Sequence, residues 1–320
     1  MKKNFKVEEP EHVLLSSFFE ELKEELILSA LKRVSGLYSR KISEKELQSV
    51  RMLLFPDALQ SRESLYIFEP EDEEYIISFR EDEIRERLLR VNWNMISGII
   101  FFEPMSQKVQ AILKQIPNSV PVLLTAASPE HVHRYINLYL LYKFSPFTLI
   151  HASAVEVFGE GVVLMGESGS GKSECVLELM RRGHFFVADD LVKLVDYPYG
   201  AVTVTSGSSR AELRYFMELR GLGIMDVMKA FGPGRIKSKT ELSLIVELSK
   251  PESVKGTVAH EEIEIFRRKF PIIKLPTRVN ELIVSRIEAA VLAEKLRKTG
   301  FDTSDVLRKV LDEEHDKEIT

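Results

Sequence analysis

The sequence predicts an α/β protein with an N-terminal αβ domain and a C-terminal domain built on a central sheet and a glycine-rich loop. Two observations lead to this class. Short runs of branched and aromatic residues alternate with segments of helical periodicity in the first half of the chain. Further along, an apolar strand, a glycine-rich segment and a helix follow one another directly. The length of 320 residues favours two domains over one.

The first domain is predicted to span residues 1–145 and to alternate strands with helices. Strands are expected at residues 64–68, 75–79, 99–102 and 120–124, and helices at residues 81–90, 107–115 and 129–144. Ser128 and Pro129 fit an N-cap followed by proline at the first helical position, and Ser145-Pro146 ends the last helix. No chemistry is predicted for this domain, which favours a structural or assembly role.

The second domain is predicted to span residues 146–320 and to contain most of the strands. They are expected at residues 147–150, 153–158, 161–165, 185–188, 191–195, 201–205, 241–248 and 272–275, with helices at residues 172–182 and 281–298. Gly183 is placed just after the first of these helices, where glycine is typical of a helix end.

The most specific local pattern is G-x-x-x-x-G-K-[ST], formed by Gly166, Glu167, Ser168, Gly169, Ser170, Gly171, Lys172 and Ser173. Glycines let the backbone turn closely around a phosphate with its N–H groups pointing inward, and the following helix adds its positive end. The Lys172 ammonium can reach the β- and γ-phosphates, and the Ser173 hydroxyl can bind Mg²⁺. Because a strand precedes the segment and a helix follows it, we interpret it as a nucleotide-binding P-loop rather than a chance glycine turn.

Phosphoryl transfer also needs a carboxylate on the metal side and a group that takes the acceptor's proton. Asp189 and Asp190 follow the strand predicted at residues 185–188. If the pair is extended, alternation sends the two side chains to opposite faces, so that only one points to the phosphates. The alternative is that both simply end a strand or cap a turn. His151 ends another strand and either faces the phosphates or is a structural histidine.

Structural roles are favoured for the remaining histidines and the cysteine that sequence reasoning singles out. His131 and His133 stand two residues apart on a predicted helix and do not share a face, which makes them poor metal ligands. His184 is expected to be a charge at the end of a helix. Cys175 lies within the helix after the glycine loop and is expected to pack in the core.

Composition excludes several classes of protein. The net charge of −5 gives no basic surface for a nucleic acid, and the acidic stretch at residues 69–74 is expected to be solvated. One cysteine excludes an internal disulfide framework and a multi-cysteine metal site. Charged residues occupy the position where a signal peptide would be apolar, and the longest apolar run is far short of a membrane span. We therefore expect a cytoplasmic protein with no nucleic-acid or membrane partner.

Three segments together resemble the HPr kinase/phosphorylase family. They are residues 166–174, residues 182–190 and a segment that reads Glu218-Leu219-Arg220-Gly221-Leu222-Gly223-Ile224-Met225-Asp226-Val227. Their order and spacing fit the family, and residues 151–158 match its approach to the phosphate loop. The resemblance is strong from about residue 147 to residue 248 and looser in the first domain.

The resemblance implies a P-loop kinase domain that uses ATP and Mg²⁺ to phosphorylate a regulatory serine on the phosphocarrier protein HPr. It implies that Asp190 is the base in this reaction and the acid in its reversal, with Lys172 and His151 beside the transferred phosphoryl group. Ser173 and Glu218 are implied as Mg²⁺ ligands, and residues 217–226 as a segment tied to both reactions. In the reversal, inorganic phosphate attacks phosphoserine and releases pyrophosphate. A homohexamer is also implied.

Two departures from the family pattern concern this reverse reaction. The family's Arg-Pro-Gly-Arg-Asn loop is represented by Pro276-Thr277-Arg278-Val279-Asn280-Glu281, where only Arg278 keeps its place. A family arginine is matched by Lys255, and lysine cannot reproduce a bidentate arginine contact. The hypothesis is that kinase activity is retained and phosphorylase activity is weak or altered.

Two other functions stay open at this point. A P-loop kinase could act on a different protein or on a small molecule, because fold alone does not fix the substrate. A nucleotide-sensing module would bind ATP without transferring phosphate. The segment at residues 218–227 favours the family's activity over both.

Overall fold

The computed structural model describes residues 5–31, 35–54, 62–198, 200–208, 210–249, 261–276 and 281–301. The chain divides into two compact units. One is Glu9–Ser145, called here the N-terminal unit, and the other joins Met1–Glu8 to Pro146–Thr320 and is called the C-terminal unit. The roles predicted for the two domains stay predictions. Lys255 and residues 277–280, where the sequence departs from the family pattern, lie outside the described residues.

The N-terminal unit contains seven strands within the described residues, five in one sheet and two in a separate pair, together with five helices. Its strands are β1 (Val13–Leu14), β2 (Leu28–Ala30), β3 (Lys41–Ile42), β4 (Gln48–Ser49), β5 (Ser64–Phe68), β6 (Ile96–Phe102) and β7 (Val122–Thr125). Its helices are α1 (Leu15–Leu22), α2 (Pro70–Ile77), α3 (Glu81–Leu89), α4 (Gln107–Leu113) and α5 (Pro129–Lys143). Short 3₁₀ turns lie at Ser35–Tyr38, Val50–Leu54 and Trp93–Met95.

Strand alternation divides the core of the N-terminal unit between the two faces of this sheet. The sheet order is β2-β7-β6-β5-β4, with β4 to β7 parallel and β2 antiparallel to β7, while β1 and β3 form a separate antiparallel pair. On β6, Ile99 and Phe101 join one buried cluster and Ile100 joins the other. The first cluster packs beneath α3 and α4 and the second beneath α1 and α5.

The strand predicted at residues 75–79 is wrong, because this segment belongs to helix α2 and the turn after it. Pro70 stands in the first turn, and the Asp72 carboxylate accepts the backbone N–H of Glu69 at 2.9 Å. These starting signals outweigh the short apolar run. The apolar residues suit a helix as well, since the rings of Tyr75 and Phe79, four residues apart, meet edge to face at 5.1 Å.

The acidic stretch at residues 69–74 is not wholly solvated, as the sequence suggested. The Asp72 side chain is buried and pairs with the Arg51 guanidinium in addition to its role at the helix start. A buried carboxylate is retained in this way when it is both paired and hydrogen-bonded.

The C-terminal unit is built on a nine-stranded mixed sheet, and two further strands form a separate hairpin. Its strands are β8 (Phe147–His151), β9 (Ser153–Val157), β10 (Glu160–Gly166), β11 (Phe185–Ala188), β12 (Leu191–Asp196), β13 (Val202–Ser206), β14 (Phe216–Leu219), β15 (Gly223–Asp226), β16 (Lys239–Ser249), β17 (Glu261–Ile265) and β18 (Arg268–Pro276). Its helices are α6 (Lys172–Arg181), α7 (Val227–Phe231) and α8 (Glu281–Lys298), with 3₁₀ turns at Ala211–Leu213 and Pro233–Arg235. The predicted α/β class with a large central sheet is confirmed.

The long strand β16 organises this sheet. The order is β11-β9-β10-β16-β13-β12-β8, with β18 beside β16 and β17 beside β18. β10 and β18 run parallel to β16, whereas the other pairs are antiparallel. β14 and β15 form a separate hairpin.

Helices α6 and α8 share one buried apolar cluster with this sheet and with β14. Cys175 is fully buried there, as the sequence predicted, and burial raises the pKa of its thiol to about 12. Within the described ranges, no helix is both long and apolar enough to cross a membrane.

Candidate active site

The glycine-rich segment forms a tight loop between β10 and α6. β10 is buried up to Met165, and the chain then turns so that α6 begins at Lys172. Gly169 and Gly171 have φ angles of 76° and 91°, in the left-handed region that favours glycine. Gly171 is the N-cap of α6, so the N–H groups of the first helical turn face the loop with no capping side chain.

Lys172 holds this loop in its curled shape. Its side chain is only 6% exposed, and its ammonium donates to the carbonyl oxygens of Gly166 and Glu167 at 3.1 and 3.2 Å. The loop is also closely packed, since a Cβ on Gly166 would lie 2.6 Å from the Ser170 hydroxyl oxygen. Lysine, glycine spacing and helix start therefore act together to form a concave anion-binding surface.

A cavity of about 310 Å³ opens in front of the loop. The predicted site residues that line it are His151, Ser168, Gly169, Gly171, Lys172, Ser173, Asp190 and Glu218. Gly166, Glu167 and Ser170 do not line it and instead shape the loop behind it. The fold thus brings the residues that the sequence singled out to one place, and their individual roles stay predictions.

Asp189 is the central acceptor of the cavity. Its carboxylate oxygens accept the Ser173 hydroxyl at 3.0 and 2.9 Å, and one of them also accepts the Ser153 hydroxyl. The backbone N–H of Glu218 donates to the other oxygen at 3.3 Å. Asp189 therefore ties the start of α6 to β9 and to the β14–β15 hairpin.

Asp190 lines the same cavity as Asp189, and the condition under which the two side chains would face opposite ways, an extended pair, is not met. The pair is not extended, because Asp190 has a φ of 65° in the left-handed region. Its backbone carbonyl accepts the N–H of Ala152 at 3.2 Å, which fixes the turn. Strain of this kind persists only where the surroundings impose it.

His151 lies directly against Asp190. The His151 Nδ1 atom is 2.9 Å from the Asp190 carboxylate, and the two side chains are 55% and 76% exposed. The pairing of β8 with β12 places His151 opposite Leu191 and so brings the two residues together. His151 therefore lines the cavity together with the loop, and which of its two alternative roles it takes stays a prediction.

The β14–β15 hairpin supplies the remaining wall. Met217 and Leu219 are buried in the core cluster, whereas Glu218 and Arg220 are exposed and line the cavity. Strand alternation explains this division. Ser153, Glu174 and Arg220 also line the cavity but were not singled out from the sequence; for Arg220, the alternating pattern of β14 is the signal that could have found it.

The donors in the cavity fit a hydrated Mg²⁺ ion that is shared with a nucleotide. Hydroxyl and carboxylate oxygens are available from Ser173, Asp189 and Glu218. Among the residues with described placement, no cluster of three or more His, Cys, Asp or Glu forms a cage for a metal. Mg²⁺ does not need one, because it keeps several waters and uses phosphate oxygens with one or two carboxylates.

The other three histidines discussed in the sequence analysis make contacts away from the cavity. His184 is buried and its Nε2 atom is 3.0 Å from the Glu288 carboxylate, so its pairing is more specific than that of an exposed helix-end charge. His131 contacts the backbone carbonyl of Glu25, and His133 contacts the Glu69 carboxylate.

Comparisons with known proteins place the sequence among described relatives. The family model described as HPr Serine kinase C-terminal domain matches residues 142–311. The HPr kinase/phosphorylase of an Exiguobacterium species is 30% identical over 235 residues, which cover 72% of this chain and 75% of that protein. HPr kinase/phosphorylase 1 of Oceanobacillus iheyensis is 29% identical over 248 residues, 76% of this chain and 79% of that protein.

Two further matches extend the comparison. The HPr kinase/phosphorylase of Caldicellulosiruptor bescii is 27% identical over 296 residues, which cover 90% of this chain and 93% of that protein. The solved structure of the Hpr(Ser) kinase/phosphatase from Coxiella burnetii covers 50% of this chain and 98% of its own, at 28% identity and a TM-score of 0.44. Since the family model spans more than half of the sequence and relatives extend over most of it, the chain belongs to the HPr kinase/phosphorylase family.

Proposed function

We propose that this chain transfers the γ-phosphoryl group of ATP to a regulatory serine of the protein HPr and also catalyses the phosphate-dependent reversal. One observation carries the proposal: Lys172 and Ser173 of the loop lie in one cavity with the carboxylates of Asp189 and Asp190. Family membership supplies the acceptor, because the relatives are named HPr kinase/phosphorylase.

The nucleotide would be held by the loop. Its β- and γ-phosphates would accept N–H groups at the start of α6 and the Lys172 ammonium. Mg²⁺, when bound, would neutralise charge on these phosphates, and Ser173 and Glu218 would hold it. Asp189 would position the Ser173 hydroxyl, to which it is hydrogen-bonded at 2.9 Å.

Asp190 would move the proton. In the forward reaction the serine oxygen forms a bond to the γ-phosphorus, the bond to the β-phosphate oxygen breaks, and the serine proton passes to the Asp190 carboxylate. In the phosphate-dependent reaction, an oxygen of inorganic phosphate forms a bond to the phosphoserine phosphorus, the bond from that phosphorus to the serine oxygen breaks, Asp190 gives a proton to the serine oxygen, and pyrophosphate is released. The contact at 2.9 Å between His151 and Asp190 would orient this carboxylate beside the transferred group.

The remaining parts of the proposal come from the sequence. From the composition and the family resemblance we also propose a cytoplasmic homohexamer in which the N-terminal unit has an assembly role. We further propose that the changes at residues 276–281 and at Lys255 weaken the phosphorylase activity. Mixing phosphorylated HPr with inorganic phosphate tests the last point, since rapid pyrophosphate release would contradict it.

The central test compares phosphate transfer to purified HPr by the native chain and by Asp190→Asn. The amide keeps the shape but cannot take the proton, so we expect transfer to fall by about 10²- to 10⁴-fold while ATP binding is retained. Glu262→Gln, at a half-exposed residue that pairs with Lys269 on β17–β18, is the control and should leave transfer unchanged. Undiminished transfer by Asp190→Asn would remove Asp190 from the mechanism, and a native chain that binds ATP without transfer would favour the nucleotide-sensing alternative.

A further inference from the structure

Arg220 lies on the rim of the cavity, in the turn directly after β14. Its neighbours Met217 and Leu219 are anchored in the core, and Glu218 pairs with Ile224 across the hairpin. The Glu218 backbone also donates to Asp189. The hairpin is thus attached to the site on two sides, and alternation directs Glu218 and Arg220 to the same face.

The Arg220 guanidinium lies against the glycine loop. A Cβ on Gly169 would lie 3.0 Å from Arg220 Nη1 and 3.6 Å from Cζ, so the guanidinium takes the space that a side chain at Gly169 would need. A Cβ at this distance would require the end of the flexible Arg220 side chain to move by a few tenths of an ångström. The absence of a side chain at Gly169 therefore serves two purposes, since it permits the φ of 76° and it admits Arg220.

The cavity contains more carboxylates than permanently cationic side chains. Glu174, Asp189, Asp190 and Glu218 line it together with only two permanently cationic side chains within the described part of the chain, Lys172 and Arg220. An ammonium has three N–H donors, and Lys172 gives two of its hydrogen bonds to carbonyls of its own loop. Arg220 lines the cavity and makes no hydrogen bond or ion pair with the residues that the structure describes, so its donors are available to a ligand bound there.

We propose that Arg220 binds the terminal phosphate of the nucleotide and the phosphoryl group in transfer. The inference rests on the proposed function and assigns a residue to it. The planar guanidinium matches two phosphate oxygens at once, which an ammonium cannot do. Because Arg220 lies two residues after Glu218, in the turn that follows β14, the hairpin would bring a metal ligand and a phosphate ligand to the loop together.

The test compares Arg220→Met and Arg220→Lys with the native chain. Dissociation constants for ATP and for ADP are measured by titration, and transfer to HPr is measured at saturating ATP. We expect Arg220→Met to weaken ATP about 10- to 100-fold, because a charge-assisted pair is lost, and to weaken ADP much less. Transfer should fall by about 10³-fold, in the range that a phosphate-binding arginine contributes, and Arg220→Lys should recover little of it.

The matched control is Arg181→Met, which removes the same group from an exposed position on α6 where it pairs with Glu178. Thermal unfolding of each variant shows that it is folded. Equal weakening of ATP and ADP, or full recovery by lysine, would overturn the assignment. Failure of the native chain to bind ATP or to phosphorylate HPr would instead overturn the proposed function, which keeps the two failures apart.

A double-mutant cycle with Gly169→Ala tests the contact itself. The added methyl group strains the loop in any background, but it also pushes against Arg220 only where the arginine is present. We therefore expect Gly169→Ala to raise the dissociation constant for ATP by a larger factor in the native chain than in Arg220→Met. The same factor in both backgrounds would show that Arg220 does not act from this position.

Discussion

The two units both place helices after parallel strands, but they complete the starts of these helices in different ways. In the N-terminal unit, α4 and α5 follow Ser106 and Ser128, whose hydroxyls accept the backbone N–H groups of Val109 and His131 at 3.3 and 3.4 Å. In the C-terminal unit, α6 follows Gly171, which has no side chain to offer.

The two kinds of helix start differ in whether they can accept an anion. The first N–H groups of a helix have no partner within the helix, so a capping side chain, water or a ligand must accept them. Ser106 and Ser128 satisfy this need internally. Gly171 offers no such acceptor, so in the proposed function a phosphate would accept these N–H groups, and the positive end of α6 would add to the attraction. The capping residue, rather than the strand-to-helix connection, distinguishes the site.

The largest expected effect comes from giving α6 a cap of its own. In Gly171→Asp, a carboxylate at the helix start would compete with the phosphates and repel them. Like charges about 4 Å apart near a protein surface interact by about 4 kcal/mol, so we expect the dissociation constant for ATP to rise by about 1000-fold. Isothermal titration measures it.

The control for this change is Gly171→Asn, which has nearly the same shape and the same backbone strain at a φ of 91° but no charge. It should weaken ATP far less than the aspartate does. Equal effects of the two substitutions would mean that strain, and not occupation of an anion site, explains the loss.

The parts of the fold that follow from local signals were predictable from the sequence. The strand Ser64–Phe68 and the helix Glu281–Lys298 have the predicted bounds, because their periodicity and boundary residues agree. The loop at residues 166–173 was found because glycine spacing alone encodes it. These features depend on neighbours in the chain.

The features that depend on distant neighbours were not predictable. At residues 75–79 the local starting signals of Pro70 and Asp72 were present in the sequence, but the contact of the buried Asp72 carboxylate with Arg51, 21 residues away, was not visible there. The left-handed Asp190 depends on its contact with Ala152, and the place of Arg220 depends on the hairpin packing against α6. The pairing of β8 with β12 and the packing of the β14–β15 hairpin decide the last two features, and a single sequence states neither.

The reactivity of Cys175, the chain's only cysteine, reports on the packing of the C-terminal unit. Burial raises the pKa of its thiol from 9.0 to about 12, which lowers the thiolate fraction near neutral pH. Allowing for the greater nucleophilicity of a more basic thiolate, we expect this shift to make a disulfide reagent react about 30- to 60-fold more slowly with the folded chain than with the chain in urea.

Nucleotide should slow this reaction further, because α6 carries both the cysteine and the phosphate-binding end. Gly171→Asp should abolish that protection while leaving the rate without nucleotide near its native value. Rapid labelling of the folded native chain would contradict the burial of Cys175.

A smaller effect is expected at the opposite end of α6. There the side chains of Arg182 and His184 contact the Glu288 carboxylate of α8 at 2.8 and 3.0 Å. Burial alone would raise the pKa of Glu288, but the hydrogen bonds from His184 and Arg182 outweigh it and hold the pKa below its ordinary value of 4.5. Glu288→Gln should lower the free energy of unfolding at pH 7 by about 2 kcal/mol, as for loss of a charge-assisted hydrogen bond.

The sign of the pH dependence follows from this lowered pKa. A depressed carboxyl pKa contributes stability above pH 4.5 that is lost as the pH falls through the folded-state pKa. The difference between the native chain and Glu288→Gln, measured by urea unfolding, should therefore shrink below pH 4.5. A difference that is constant with pH would mean that the carboxylate's charge is not what stabilises this end of the helix.

The smallest effect is expected for the serine cap of α5 in the N-terminal unit. Ser128→Ala removes the hydroxyl that accepts the His131 N–H at the start of α5. Loss of a serine cap lowers the free energy of unfolding by about 1 kcal/mol, and the unfolding of the N-terminal unit should shift by that amount. The dissociation constant for ATP should not change, because this cap serves only its own helix. A large loss of ATP affinity in Ser128→Ala would show that a capped helix start also contributes to the anion site, and the distinction drawn between the two units would fail.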